Sequence, residues 1–303
     1  MTTFTRPVET YVVACPNGDN GEIIKDGFQS GHQRYECTLC GKKFREPGIY
    51  REGQRYPIRQ VADVLQGVID GQSYREAARS LARTFETTKP SEATVYEWMQ
   101  GYARGAHEAT KGIKVDAGNE LAVDEMTIKL GGTRYWLWIA MDMKSRFVLA
   151  THLTPKRDAI AGGILFRKVM ETSKRPPAYI RTDGLRAYGA VIKGMSPRPE
   201  HRISRGLDDP VFHNNLIERL NNTVRDRDRP HRGLQFRESA QNFIDGFMID
   251  YNFFRPHSAL GKKTPAEVAG VERPFKNWHE VAARVEPIKK SVRPAWQVQD
   301  DKP

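Results

Sequence analysis

Three acidic residues, Asp124, Asp183 and Glu218, are placed so that they could share one chemical task. Asp124 follows the alternating stretch ELAV and Asp183 follows AYIRT, so each is expected at the end of a strand. Glu218 stands among apolar residues at helical spacing in the stretch NNLIERLNN, and 34 residues separate it from Asp183. Two strands and one helix can bring three such carboxylates to one edge of a sheet.

Clustered carboxylates of this kind are typical ligands of hard divalent cations. Their oxygen atoms suit Mg²⁺ or Mn²⁺. Two such ions held about 3.5–4 Å apart stabilise the attacking and leaving oxygens of an in-line displacement at phosphorus. The sequence therefore predicts metal-dependent phosphoryl transfer, with Asp124, Asp183 and Glu218 as catalytic residues that bind two Mg²⁺ or Mn²⁺ ions.

Other interpretations of these acids remain open. Asp124 could be a solubilising residue at a strand edge, and Asp183 a turn residue before a glycine. Glu125 and Asp142 compete for the same role, although Asp142 precedes a Lys-Ser turn and is expected to be structural.

The helix that carries Glu218 also offers DNA-binding side chains. Asn222 and Arg225 lie one and two turns after Glu218 on the same face. We expect both to hold the DNA backbone.

Residues 116–271 are predicted to form an α/β domain. The stretches ELAVDEMTI, RYWLWIAMDM, RFVLATHL and AYIRTDG are rich in β-branched and aromatic residues and favour strands. The stretch RDAIAGGILFRKVMETS has helical periodicity, and further helices are expected around LRAYGAVI and around Glu218. Residues 272–303 are charged and contain prolines, which indicates a peripheral C-terminal tail.

Residues 51–115 are predicted to be helical and to bind DNA. YPIRQVADVLQGVIDG has helical periodicity, a capping box from Ser73 to Glu76 begins a second helix, and Ser91 caps a third. Three short helices of this form resemble a helix-turn-helix domain, although a helical bundle without a DNA role is the alternative. The expected DNA-contacting residues of this region are Arg75, Arg79, Thr94 and Tyr96.

The three cysteines of the chain lie near its N-terminus, in residues 1–50. Cys37 and Cys40 form a C-x-x-C pair followed by glycine, and Cys15 would belong to a matching first half in which Gly18 stands where a second cysteine is expected. Structural zinc takes four ligands, so Asp19 and His32 are candidates for the fourth. The sequence predicts a zinc-ribbon-like module that either binds Zn²⁺ or has lost the metal.

The overall composition favours a polyanionic partner. The net charge is +11, which is typical of proteins that bind nucleic acid. The N-terminus shows no signal peptide, and the longest apolar run, YWLWIAM, is far too short to span a membrane. We expect an intracellular protein without a membrane partner.

Taken together, these motifs resemble DDE transposases of prokaryotic insertion sequences, closest to the IS6/IS240 group. AVDEMTIKLGGTRYWLWIAMDMKSRFVLA is similar to the first catalytic strand pair, IRTDGLRAY to the second aspartate motif, and YNFFRPHSALGKKTPAEVAG to a motif near the end of integrase-core transposases. The spacing between Asp183 and Glu218 matches that group. Two features depart from its pattern, namely Gly18 and the stretch IERLNNTVRDRDRPHRGLQF.

The resemblance implies an RNase H-like (retroviral integrase) catalytic core, preceded by the zinc-ribbon-like module and an all-α helix-turn-helix domain. It also implies a transposase that binds the terminal inverted repeats of its element and catalyses DNA cleavage and strand transfer. Its partners would be double-stranded DNA, both element ends and target, and other copies in a homodimer or larger oligomer. The protein would act in the cytoplasm, at the nucleoid.

Two other functions stay open at this stage. A domesticated, sequence-specific regulator would keep the fold without the chemistry, but the presence of all three acids argues against it. An RNase H-type nuclease would keep the chemistry, but it would not need a sequence-reading helical domain.

Overall fold

The computed structural model describes residues 15, 17–29, 32–45, 54–204, 215–228 and 236–288. The chain divides into two compact units, residues 1–61 and 62–303. This division does not fall at the boundaries of residues 50 and 115 that were expected from the sequence.

The first unit contains a small antiparallel sheet in the order β1-β2-β3. Its strands are β1 (Ile23–Gln29), β2 (His32–Cys37) and β3 (Lys43–Arg45). Gly41 adopts a φ of +66°, and its N–H donates to the Cys37 carbonyl at 2.8 Å. A tight turn thus follows the C-x-x-C pair, and glycine suits it because it enters this backbone region without strain.

Three helices follow, as the sequence predicted. They are α1 (Ile58–Ile69), α2 (Tyr74–Thr84) and α3 (Glu92–Thr110). The Ser73–Glu76 capping box is present in full, and the Ser91 side chain accepts from the backbone N–H of Thr94. These caps satisfy backbone donors that would otherwise lack partners at the helix starts.

Helix α3 packs against the helix of residues 237–249. Gln100 is buried, and its Nε2 donates to the Ser239 carbonyl at 3.0 Å. Asn242 Nδ2 in turn donates to Gln100 Oε1 at 3.0 Å. Buried amides that are fully paired in this way fix one relative position of two helices.

The second unit is built on a five-stranded mixed sheet in the order β6-β5-β4-β7-β8. Its strands are β4 (Glu120–Leu130), β5 (Thr133–Asp142), β6 (Val148–Thr154), β7 (Tyr179–Thr182) and β8 (Glu200–Ile203). β4, β5 and β6 form an antiparallel meander, whereas β7 runs parallel to both β4 and β8. The short edge strand β8 was not expected from the sequence.

Six further α-helices complete this unit among the described residues. They are α4 (Ala159–Thr172), α5 (Arg186–Lys193), α6 (Asn215–Asp228), α7 (Arg237–Ile249), α8 (Pro265–Val268) and α9 (Trp278–Arg284). Helices α4 to α7 contact the sheet. Neighbouring residues of a strand point to opposite faces. Asp124 of β4 is bonded by Asn221 of α6, and Glu125 is bonded by Tyr188 of α5. Helices α5 and α6 therefore lie on opposite faces of the sheet.

The segment after residue 271 corrects one prediction. A peripheral tail was expected there, but Trp278 is 1 % exposed, and Val281 and Ala282 are also buried. The prediction failed because prolines and charges suggested a solvated segment, whereas three apolar residues at helical spacing place α9 in the core. Residues 289–303 lie outside the described part of the chain.

One side chain closes the outer edge of the sheet at β6. Asn252 lies in a π-helical turn, Asp250–Phe254, that continues α7. Its Oδ1 accepts from the Val148 N–H at 2.8 Å, and its Nδ2 donates to the Val148 carbonyl at 2.9 Å. The amide thus imitates a neighbouring strand and covers backbone groups that an exposed edge would leave open.

Replacing Asn252 by alanine should destabilise the protein. Both backbone groups of Val148 would lose their partners in a buried place, which costs roughly 2–6 kcal/mol when summed over two groups. Urea unfolding of the purified protein measures this loss. The stability of N252D, which keeps an acceptor but no donor, should lie between those of wild type and N252A. An N252A protein as stable as wild type would contradict the edge-closing role.

Candidate active site

The pairing of β4 with β7 brings two of the predicted acids together. The parallel register places Ala122 opposite Arg181, and its continuation by two residues places Asp124 level with Asp183. Asp183 directly follows β7, as expected. Asp124 does not end a strand as predicted but lies inside β4, because β4 continues as a hairpin with β5 beyond the point where its pairing with β7 stops.

Asp124, Glu125 and Asp183 form a compact carboxylate cluster. One oxygen atom from each lies within 4.8 Å of the others. Glu125, a competing acid in the sequence, is therefore part of the cluster, and Asp142 is not. Asp142 is instead structural, as expected, because its carboxylate accepts from the Ser145 side chain and backbone and from the Gly118 N–H.

Glu218 lies on α6, is exposed, and stands outside this 4.8 Å group. It is still close enough for its charge to contribute to the raised pKa of Asp124. The described residues thus bring two of the three predicted ligands together, with the third on the helix that contacts β4.

Asn221 connects α6 to the cluster and was missed in the sequence analysis as a site residue. It is 3 % exposed, and its Nδ2 donates to Asp124 Oδ2 at 2.7 Å. The available signal was an amide within the apolar stripe of Ile217, Leu220 and Val224, which are all buried. Asn222, the predicted neighbour, is instead exposed and accepts from Arg225 Nη1 at 3.0 Å.

The charge balance of the cluster favours a bound cation. Burial, followed by the neighbouring Glu125 carboxylate, raises the pKa of Asp124 to about 7. Burial also raises the pKa of Glu125, although hydrogen bonds from Tyr188 and Arg157 act in the opposite direction. A raised pKa means that the ionised form of a buried carboxylate lacks enough positive charge nearby to stabilise it. A divalent ion would supply that charge.

A second observation indicates that the donor set fits a hydrated ion. Asn221 Oδ1 is buried and has no hydrogen-bond partner among the described residues. Buried polar atoms are normally paired, and metal ligands are commonly oriented by such amides in the surrounding shell. The residues present therefore fit Mg²⁺ or Mn²⁺, with Asn221 able to accept a hydrogen bond from a water molecule.

The turn after β7 fixes the position of Asp183. Gly184 has a φ of +89°, and its N–H donates to Thr182 Oγ1 at 3.0 Å. The Leu185 N–H donates to Asp183 Oδ1 at 2.9 Å. His201 of β8 lies 2.8 Å from the Thr182 hydroxyl. The backbone of the turn thus holds one oxygen of the Asp183 carboxylate, while the side chain remains 44 % exposed.

A separate group of possible metal ligands lies in the first unit. Cys15, Cys37, Cys40 and Asp19 each offer a ligand atom within 4.8 Å of the others. The Sγ atoms of Cys15 and Cys40 are 3.5 Å apart, close to the roughly 3.8 Å of a tetrahedral site with zinc–sulfur distances of about 2.3 Å. Among the described residues Asp19 thus offers the fourth ligand atom, whereas the His32 side chain lies outside the described part of the chain.

The predicted DNA-contacting residues of the helical region are largely engaged within it. Arg75 Nε lies 2.7 Å from Glu92 Oε1. The Thr94 hydroxyl lies 2.9 Å from that of Ser91, and the Tyr96 ring packs edge-on against Tyr74 at 5.6 Å between centroids.

Arg79 is exposed on α2, on the same face as Arg75. The two side chains form a short basic line, because residues four apart on a helix lie above one another.

Comparison with known proteins agrees with this geometry. Residues 118–257 match the family model DDE_Tnp_IS240, which is described as a DDE domain. This part of the chain is therefore similar to a DDE domain, and its fold is the mixed α/β arrangement described above. A search of curated proteins finds no similar sequence.

Among solved structures, the chain is similar to the magnesium-bound HTLV-2 integrase catalytic core in its trimeric form. The identity is 16 %, the TM-score 0.40, and the match covers 52 % of this chain and 99 % of that one. It is also similar to a simian T-cell lymphotropic virus intasome in complex with the PP2A regulatory subunit B56 gamma, at 13 % identity and a TM-score of 0.40, over 72 % and 76 % of the two chains. No helix among the described residues is long and apolar enough to cross a membrane.

Replacing Asp124 by asparagine should stabilise the metal-free protein at high pH. The folded-state pKa of about 7 lies above the ordinary value of 3.8. The ionised carboxylate therefore lowers the free energy of unfolding at pH 8, and this destabilisation decreases as the pH falls to 4. Its size is at most about 4 kcal/mol, from about 1.4 kcal/mol for each tenfold change in proton affinity.

Unfolding in EDTA at pH 4, 6 and 8 measures this dependence. The benefit of D124N should be largest at pH 8 and near zero at pH 4. D142N is the matched control and should destabilise the protein, since it disturbs a carboxylate with satisfied donors. A D124N protein less stable than wild type at pH 8 would contradict the assigned charge balance.

Proposed function

We propose that this protein is a transposase that binds the terminal inverted repeats of its element and catalyses metal-dependent DNA cleavage and strand transfer. The observation that carries the proposal is the placement of Asp124 level with Asp183, inside a segment that matches the DDE domain model. The Asn221 hydrogen bond supports it further, because it attaches the helix that carries Glu218 to Asp124.

The chemistry follows from the roles of these side chains. Asp124, Asp183 and Glu218 would hold two Mg²⁺ or Mn²⁺ ions, which stabilise charge on the attacking and leaving oxygens. Asn221 orients the Asp124 carboxylate. Its Oδ1, unpaired within the described part of the chain, would accept a hydrogen bond from a water molecule. Water is the nucleophile in cleavage and the released 3′-hydroxyl in strand transfer, so no covalent enzyme intermediate is required.

The exposed basic side chains would hold the DNA. Arg75 and Arg79 on α2 would contact phosphates, and Thr94 and Tyr96 near the start of α3 would contact base edges. Arg225 and Asn222 on α6 lie on the helix that carries Glu218 and would hold the backbone near the cleaved bond. Because the second half of α3 is anchored on α7 through Gln100, a DNA end bound at α2 and α3 would be fixed relative to the active site.

The first unit would add a structural metal. Cys15, Cys37, Cys40 and Asp19 would hold Zn²⁺. The hydrogen bond from the Cys40 backbone lowers the pKa of Cys37, which favours its thiolate form, whereas the contact with Asp19 raises the pKa of Cys40 to about 12, so the charge of the metal would have to stabilise that thiolate. Joining two element ends would further require at least a homodimer.

Glu218→Gln should abolish DNA cleavage without preventing DNA binding. The substitution keeps the shape of the side chain and removes a coordinating charge. The expected loss is roughly 10³-fold or more, since metal charge stabilisation is worth several kcal/mol and each 1.4 kcal/mol is tenfold in rate. Incubation with candidate element ends and Mg²⁺, followed by mapping of the 3′ ends, measures the cleavage.

Glu171→Gln, an exposed glutamate on α4, is the matched control and should cut normally. Wild-type cleavage by E218Q would refute the role of Glu218. Specific binding without cleavage by wild type would instead support a DNA-binding regulator. Cleavage without any preference for element ends would support an RNase H-type nuclease.

The roles of the helical region and of α6 in binding can be separated by salt dependence. T94A and Y96A should reduce the preference for element ends over random DNA by about 1–3 kcal/mol, the usual value of a base contact. R79A and R225A should weaken binding to both DNAs equally and lower the salt slope by about one. Competition binding at two salt concentrations tests this, with K276A as an exposed basic control. If only R225A lost the preference for element ends over random DNA, α6 and not the helical region would be the part that reads the DNA sequence.

A further inference from the structure

Glu125 is the most enclosed member of the carboxylate cluster. Its side chain is 1 % exposed. Oε1 accepts from both Nε and Nη2 of Arg157, with the Nε contact at 2.8 Å, and Oε2 accepts from the Tyr188 hydroxyl. Three donors therefore occupy most of the lone-pair directions of this carboxylate.

The partners of Glu125 are themselves held in place. Tyr188 is fully buried, and its ring packs edge-on against Trp138 at 5.3 Å between centroids. Trp138 is also the cross-strand neighbour of Glu125 in β5. The Arg157 guanidinium lies over the Trp136 ring at 4.5 Å from its centroid. The carboxylate is thus held on one side by a fixed phenol and on the other by a stacked guanidinium.

The two aspartates of the cluster are bound differently. Asn221 is the side-chain donor to Asp124, and the Leu185 N–H holds one oxygen of Asp183. The other oxygen, Asp183 Oδ2, lies 3.9 Å from Arg157 Nη2. Arg157 therefore stands between Glu125 and Asp183 and remains 38 % exposed, at the open side of the cluster.

We propose that Glu125 is a positioning residue and not a metal ligand. It anchors Arg157, whose guanidinium places a fixed positive charge beside Asp183. This charge keeps the mutually repelling carboxylates assembled, and it leaves Asp124 and Asp183 as the members of the cluster that coordinate the ions. The inference rests on the proposed metal-dependent function and assigns roles within the same site.

The alternative is that Glu125 joins the coordination sphere. It would then have to leave Arg157 and the buried Tyr188 hydroxyl, and the hydroxyl would lose its acceptor where no water replaces it. Unpaired buried polar groups are unfavourable. The enclosure of Glu125 therefore favours the positioning role.

Metal binding without DNA separates the two roles. Isothermal titration of the full-length protein with Mn²⁺ should give E125Q an affinity within about threefold of wild type, whereas D124N and D183N should each lose at least about tenfold. E120Q is the matched control, because Glu120 lies on the same strand and pairs with Arg181 and Arg202 away from the cluster. Loss of Mn²⁺ binding in E125Q equal to that in D124N would overturn the proposal.

Single-turnover cleavage at saturating Mn²⁺ tests the positioning role. E125Q and R157Q should each slow cleavage by at least about tenfold, with no change in the Mn²⁺ concentration at half-maximal rate. The double variant should be no slower than either single variant, because both changes remove the same interaction. Normal cleavage by both single variants, or losses that multiply in the double variant, would refute a role through Arg157.

Two features keep the outcome interpretable. If E125Q does not fold, R157Q carries the same test, since it removes the guanidinium and leaves the Glu125–Tyr188 hydrogen bond in place. Normal cleavage by R157Q would then count against the proposal. If wild type cuts no DNA while the Mn²⁺ titrations follow the expected pattern, the proposed function fails and the ligand assignment stands.

Discussion

The parallel pairing of β4 with β7 is the constraint on which the site depends. Only Glu120 to Ala122 of β4 take part in it, but this short register is enough to place Asp124 level with Asp183. A shift of one residue would turn one of the two carboxylates to the opposite face of the sheet. The buried stretch that contains Leu121 and Ile180, which are 1 % and 0 % exposed, therefore determines the geometry of the chemistry as well as the stability of the core.

Gathering carboxylates at this position works against folding. Burial and mutual repulsion raise the pKa of Asp124 to about 7, so the metal-free protein carries an electrostatic burden at neutral pH. Arg157, Tyr188 and Asn221 offset part of it, and a divalent ion would offset more. The residues that make the site reactive are therefore stabilised mainly by groups that do no chemistry themselves.

Buried hydrogen bonds also fix the helical region to the rest of the second unit. Gln100 is a buried polar residue in an otherwise apolar contact between α3 and α7, and each of its polar atoms has a partner. Such a contact is specific, since any sliding of the helices would leave buried amides unpaired. It would give the residues of α2 and α3 that we propose to bind DNA a defined distance from Asp124 and Asp183.

The sequence by itself determined the helices α1 to α3, the caps Ser73 and Ser91, and the strands β4 to β7, because these follow from local periodicity and from residue type. The metal-binding roles of Asp124 and Asp183 stay predictions. Tertiary structure alone decided which acids share a cluster, since Glu125 enters it through its position in β4 while Glu218 stands outside the 4.8 Å group. The burial of α9, the edge strand β8 and the role of Asn221 depend on contacts between residues far apart in the chain, and no local pattern encodes such contacts.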